Sequence, residues 1–221
     1  MATDLGWVGN PGSDTWNALR ENSIGGSDIA AICGWSPYAD REKVMQRKLN
    51  PQVKASTKSQ DRGHRLEDAV LWWLKDRLEA EFIDWSAENL LEQHTYRHDV
   101  HQWATCTPDA LALVRPSKSK PPEKAIFEAK TTMDRNTDNG WGRGGSGKVP
   151  IGYATQVTWT MGIMGYSTAY LGLLAGAVNG RPELSFMHFK IDFNQGAFDH
   201  LIDKATEFMD ELNERKQLLW D

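Results

Sequence analysis

Hydrophobic positions recur at helical spacing most plainly between residues 60 and 80, where Val70, Leu71, Leu74 and Leu78 form one stripe with Trp73 beside it. Glu67 extends that stripe one turn toward the N-terminus, and a carboxylate on a buried face needs a partner or a metal. Asp68 lies about 100° further round and is expected to face solvent more, while Gly63 leaves the Glu67 face open to close approach. A second helical pattern starts at Pro150, runs through Tyr153, Gln156, Val157, Trp159, Thr160, Ile163 and Met164, and stops at Gly165. Its Tyr153, Gln156 and Thr160 share one face, either supporting nearby carboxylates or hydrogen-bonded within the core. A third, amphipathic helix is predicted over Gln195 to Leu219 through Phe198, Leu201, Ile202, Ala205, Phe208, Met209 and Leu212.

Period-two and short apolar runs predict strands at Ala110–Val114, Ala125–Lys130, Ala169–Leu174 and Leu184–Ile191, with others from Leu90 to Tyr96 leading through Trp103-Ala104-Thr105. Arg115 to Lys124, with three prolines, reads as an exposed hairpin connection. Nearer the N-terminus, residues 1–14 read as irregular and Thr15–Arg20 as a short helix. Ser27 or Asp28 is expected to cap a helix that stops at Gly34, and Asp40 to cap one that ends before Asn50-Pro51. Residues 53–59 read as loose, and 131–150 as a polar, glycine-rich loop.

Composition narrows the class. The 221 residues fit one domain, and 40% hydrophobic content supplies a core. No apolar run reaches the length of a membrane span and no secretory leader is visible, so a soluble, intracellular protein is expected. Cys33 and Cys106 make no framework and are read as reduced thiols. A net charge of −5 does not advertise nucleic-acid binding, but a local basic groove can sit on such a chain.

The candidate chemistry gathers around residues 107–130. An antiparallel hairpin would bring Asp109, before one strand, close to Glu128 and Lys130 at the end of the other, and Glu128 and Lys130 share a face because residues i and i+2 do. Two carboxylates and a lysine suit a hard cation such as Mg²⁺, which activates water and stabilises charge on a phosphoryl oxygen; solvated hairpin charges are the alternative. Gly25-Gly26 feeding a helix near Ser27, with Arg20 as counter-charge, suggests an anion site, an ordinary capped helix being the alternative. His94, His98, His101 and Cys106 match no structural zinc spacing, and the histidines are read as surface or loop residues. Gly142 to Lys148 imitates a P-loop, but Val149 stands where Ser or Thr is required and Pro150 follows, so that reading is rejected. Arg143 and Lys148 instead belong to a mobile basic loop able to touch a nucleic-acid backbone, or to a linker.

In chain order, Gly25-Gly26-Ser27-Asp28-Ile29-Ala30-Ala31-Ile32, Ser36-Pro37-Tyr38, Arg62-Gly63 with Glu67, Thr107-Pro108-Asp109, Glu128-Ala129-Lys130, and Tyr153 with Gln156 are all present. This ordered set resembles the lambda-exonuclease-like, YqaJ-type viral recombinase nucleases of the PD-(D/E)XK superfamily. The resemblance implies an α/β (α+β) fold of restriction-endonuclease-like type, with a central mixed β-sheet flanked by helices. It implies a Mg²⁺-dependent exonuclease, with Mn²⁺ able to substitute, that degrades one strand of linear duplex DNA from its 5′ end. Asp109, Glu128 and the Ala129 carbonyl would bind the metal. Glu67 would complete the set directly or through water, Lys130 would position or help deprotonate the attacking water, and Gln156 would orient neighbouring groups. Arg20 and Ser27 would receive the 5′-phosphate, and Tyr153 falls where DNA contact is expected.

The same resemblance implies double-stranded DNA ends as partner, a homo-oligomer of ring type, a single-strand annealing protein as companion, and a phage or prophage origin in the bacterial cytoplasm. Two other functions compete: a structure-selective endonuclease on the same fold, indifferent to end phosphorylation, and a non-catalytic DNA-end-binding module without Mg²⁺-dependent turnover. Several of the ten tryptophans offer stacking groups.

Overall fold

Five strands form the main sheet of the computed structural model, which describes residues 2–9, 13–51, 57–83, 93–115, 119–136 and 138–219. They are β2 (Glu81–Ile83), β5 (Ala110–Val114), β6 (Glu123–Thr132), β7 (Thr168–Val178) and β8 (Arg181–Asp192), in spatial order β2-β5-β6-β7-β8. Three of the four neighbouring pairs are antiparallel, whereas β6 and β7 are parallel and joined through helix α5 (Ile151–Met164). This is the mixed α+β architecture expected, since a parallel pair needs a crossover. Short strands β1 (Thr3–Asp4), β3 (Tyr96–Arg97) and β4 (Thr105–Cys106) make a second sheet. Thr3 and Asp4 are therefore paired and not irregular. The expected strand from Leu90 shrinks to Tyr96–Arg97, and its first residues, 90–92, lie outside the described residues, as do 52–56 of the expected loose stretch.

Two apolar layers sandwich the main sheet. On one face α4 (Lys58–Arg77) packs Leu71 and Leu74 against Ala110, Ala112, Ala125, Phe127 and Tyr170. Gly172 makes this contact close: a Cβ there would stand 2.6 Å from Val70 Cγ1 and 2.8 Å from Leu74 Cδ1. On the other face Ile126, Leu171, Leu173 and Phe189 meet α5, α6 (Gln195–Leu218) and, further out, α2 (Gly26–Ile32) and α3 (Arg41–Leu49). Burial of each such Leu, Ile or Phe contributes about 1.5–3 kcal/mol. Helix α1 (Asp14–Glu21) leans on α3.

Local chemistry sets the ends. Thr57 caps α4 from Gln60 N–H at 3.3 Å, and Gln60 Oε1 accepts Thr57 N–H at 2.8 Å, so the helix begins two residues before the periodic stripe suggests. Gly165, at φ 69°, closes α5 in the left-handed region. Helix α2 is capped by Gly25, not by Ser27 or Asp28, because the Asp28 carboxylate accepts the Gly25 N–H at 3.4 Å and sets the start earlier.

Residues 133–136 and 138–149 are docked, contrary to the linker expectation, and β6 extends through Thr132 into the expected loop. Arg135 bridges to Val178, Gly145 N–H donates to His188 O at 2.7 Å, and Arg135 Nη1 donates to Gly142 O at 2.7 Å. Trp141 and Val149 are buried anchors.

Candidate active site

Register places the acidic residues. Ala110 faces Phe127 and Leu111 faces Ile126 across β5 and β6. Along β6, Ala125, Phe127 and Ala129 turn toward α4, while Ile126 turns toward the α5 side. By the same alternation Glu128 and Lys130 point to the α5 side. Glu128 is buried, and its Oε1 accepts Lys130 Nζ and Gln156 Nε2, each at 2.5 Å. Asp109, immediately before β5, accepts the Ala129 N–H at 2.7 Å, which fixes its carboxylate beside Glu128. From α4, Glu67 takes a hydrogen bond from the Gln93 amide and has His64 Nδ1 at 3.8 Å. Asp68 is less enclosed, as its place on the helix predicts.

The electrostatics follow from that crowding. Burial pushes the Asp109 carboxyl well above the ordinary aspartate value, and the charges of Glu128 and Glu67 push it further. Glu67 is raised by burial and by Glu128. Burial opposes the charge on Lys130, but Glu128 and Asp109 outweigh it and hold the ammonium protonated. Its Nζ also sits 5.6 Å from the centre of the Tyr153 ring, and burial drives the Tyr153 phenol up to about 12.

The crowding that raises Asp109 and Glu67 is one that a divalent cation relieves, and carboxylate oxygens are the hard ligands Mg²⁺ takes. Asp109, Glu128 and Glu67 fit such an ion in that sense. Among the described residues, no three His, Cys, Asp or Glu side chains are already gathered at ligating distance. An ion held by Glu128 would share that carboxylate with Lys130 and Gln156.

Glu67, Asp109, Glu128, Ala129, Lys130, Tyr153 and Gln156 thus converge on one place. Thr160 does not join them: its hydroxyl donates to Gln156 O at 3.0 Å and braces the α5 backbone. A Cβ at Gly63 would meet nothing within 4 Å among the described residues. Arg143 and Lys148 are exposed on the docked loop, outside the cluster. Arg20 and Ser27 lie next to it through Gly26, where a Cβ would stand 2.8 Å from Gln156 Cγ. Gln93 and Tyr38 are additions that spacing did not single out for the site. The Tyr38 ring is exposed, with its OH 3.4 Å from that of Tyr153. Its exposure beside Lys130's aromatic neighbour could not be inferred from a turn motif.

A mixed sheet with Asp109 at the head of β5 and Glu128-Ala129-Lys130 on adjoining β6, under flanking helices, defines the PD-(D/E)XK nuclease fold class. Within it the chain belongs to the YqaJ-like viral recombinase domain family, whose model matches residues 15–167. No curated protein matches it. Among solved structures it is similar to LHK-Exo, an alkaline exonuclease from Laribacter hongkongensis determined with dAMP, at TM-score 0.64 and 13% identity over 94% of this chain and 96% of that one. A phage-related exonuclease from Haemophilus somnus 129PT aligns at TM-score 0.53 and 13% identity, covering 92% and 97%. SOX in a DNA complex aligns at TM-score 0.57 and 11% identity, covering 92% and 68%. At these identities the likeness is one of fold.

Proposed function

We propose that this protein is a Mg²⁺-dependent 5′-to-3′ exonuclease on linear double-stranded DNA. It releases 5′-mononucleotides and leaves a 3′ single strand for phage-type recombination. The observation that carries the reading is the convergence of Asp109, Glu67 and the Lys130-bound, Gln156-bound Glu128 at one end of β5 and β6. Exonucleases among its structural neighbours, one determined with dAMP and another, SOX, with DNA, support the substrate class.

Asp109, Glu128 and the Ala129 carbonyl would hold the metal, with Glu67 ligating directly or through water, and Mn²⁺ would serve in place of Mg²⁺. Bound there, the ion supplies a more acidic water and charge stabilisation at the phosphoryl group. Lys130 positions or helps deprotonate the attacking water and offsets developing charge. Gln156 holds the Glu128 carboxylate in one orientation. Arg20 and Ser27 receive the terminal 5′-phosphate, Tyr153 and Tyr38 border the scissile end, and Arg143 and Lys148 touch the backbone further out. A homo-oligomeric ring and a single-strand annealing partner in the bacterial cytoplasm complete the reading.

Glu128→Ala tests it. The variant removes the partner of both Lys130 and Gln156, so Mg²⁺-dependent mononucleotide release is expected to fall at least about a hundredfold, the scale of losing a positioned electrostatic group. Circular dichroism should show an unchanged fold. Retention of activity in a folded Glu128→Ala protein contradicts the assignment.

A further inference from the structure

Beside the carboxylate cluster lies a second charged group that the proposed chemistry does not use. Asp28 is 3% exposed and is surrounded by three cations. Lys48 Nζ stands 3.1 Å from its Oδ2, Arg20 Nη2 3.3 Å from Oδ1, and Arg47 Nη2 3.4 Å from Oδ1. The three cations have different freedom. Lys48 is 4% exposed and spends its ammonium donors on Asp28, on Arg20 O at 2.8 Å and on Ser23 O at 2.5 Å. Arg20 and Arg47 are 35% and 46% exposed, and their contacts to Asp28 use only Nη2 of each guanidinium. The Trp16 ring, 4.7 Å from the Arg20 guanidinium carbon, fixes that side chain from another side.

Charge counting then separates structure from function. Lys48 and Asp28 neutralise one another inside the fold, which leaves two half-exposed guanidinium charges held side by side on a common carboxylate. Two positive charges at adjacent positions are costly unless an anion joins them. A terminal phosphomonoester carries about −1.5 to −2 at neutral pH and presents three acceptor oxygens, whereas a phosphodiester within a strand carries −1. Guanidinium groups match such oxygens in paired geometry. Arg20 and Gly26 place this group next to Gln156, hence next to Glu128.

We propose that Arg47 is a second phosphate-binding guanidinium, and that the buried Asp28–Lys48 pair is a brace holding Arg20 and Arg47 together as a site for the dianionic 5′-phosphomonoester of a DNA end. Arg47 then determines end specificity, and Asp28 is a positioning residue acting through both arginines. The proposal rests on the terminal-phosphate reading of Arg20 given above, and it adds the charge state the site selects.

The test is binding, not cleavage. Short duplexes ending in a 5′-phosphate, a 5′-methylphosphate or a 5′-hydroxyl are titrated against the full-length protein in EDTA by fluorescence anisotropy. The native protein is expected to prefer the phosphate over the methylphosphate, which retains the phosphorus but only one charge. Arg47→Ala should reduce the preference for phosphate over methylphosphate about tenfold, the scale of one charge-assisted hydrogen bond, and Arg47→Lys should restore part of it. Asp28→Asn should reduce the same preference while Arg47 remains. An unchanged preference in folded Arg47→Ala overturns the proposal, as does equal binding of the phosphate and methylphosphate ends by the native protein. A native protein that prefers phosphate ends yet cleaves no DNA with Mg²⁺ would overturn the exonuclease reading and leave this site standing. One that cleaves linear DNA without end preference would do the reverse.

Discussion

Asp109 shows how one side chain carries the cost of the site. Its carboxyl accepts the Ala129 N–H and stands close enough to Glu128 and Glu67 for their charges, added to burial, to raise its pKa in the folded chain. A raised folded pKa means that the folded state binds the proton more tightly than the unfolded state. The contribution to stability is full below the ordinary aspartate value of about 4 and is lost as pH rises through the folded value. Asp109→Asn keeps the acceptor for Ala129 and removes the charge. In EDTA at pH 8 the variant is expected to melt a few degrees above the native protein, about 2–4 °C for each kcal/mol recovered in a chain of this size. The gap should close as pH falls to about 4. Calorimetry across that pH range checks both halves, and a variant that melts lower at pH 8 contradicts the crowded-carboxylate account. Added Mg²⁺ should raise the native protein's melting temperature and leave the variant's nearly unmoved.

The elements place these residues by packing more than by propensity. The α4 stripe was legible in the sequence because Val70, Leu71 and Leu74 repeat at helical spacing, and so was the β5–β6 hairpin, whose alternation sends Glu128 and Lys130 to one side. The β7–β8 hairpin runs further than its apolar runs suggest. Asn179 and Gly180, both at positive φ, make a tight turn that lets the exposed residues Arg181 and Pro182 pair with Val178 and Ala177; the Asn-Gly dipeptide was a signal for it. The docked loop was not legible, since its anchors, Gly145 on His188 and buried Trp141, are tertiary contacts in a polar stretch. Nor was the Asp28 brace, whose partners lie about twenty residues away on α3 and look like ordinary solvated charges in the sequence. Packing also makes a prediction at this scale. Gly172→Ala puts a methyl against Val70 and Leu74, so α4 must shift on β7. Overpacking of this kind costs about 1–3 kcal/mol, measurable by urea unfolding. Because α4 carries Glu67, activity should fall more than the folded fraction does. An unchanged unfolding midpoint would show that α4 does not depend on that contact.

At the scale of the whole molecule, one mixed sheet carries Glu128 and Lys130 on its α5 side, with Asp109 beside them at the head of β5. The acidic net charge of −5 masks a local inversion, with negative groups gathered at Asp109, Glu128 and Glu67 and an excess of positive charge at Arg20 and Arg47 nearby. Under the proposed function such a pairing would suit a substrate bound by its terminal phosphate and cut at the next one, the carboxylates holding a metal at one phosphate and the guanidinium pair receiving the other. Among the described residues no helix is long and apolar enough to cross a membrane. The measurement that tests this account most directly is digestion of linear duplex DNA with 5′-phosphate or 5′-hydroxyl ends, in Mg²⁺ or EDTA, beside a covalently closed circle. The account predicts mononucleotide release from linear DNA in Mg²⁺ alone, faster from phosphorylated ends, with the circle intact. Cutting of the closed circle, or no Mg²⁺-dependent cleavage of any DNA, would contradict it.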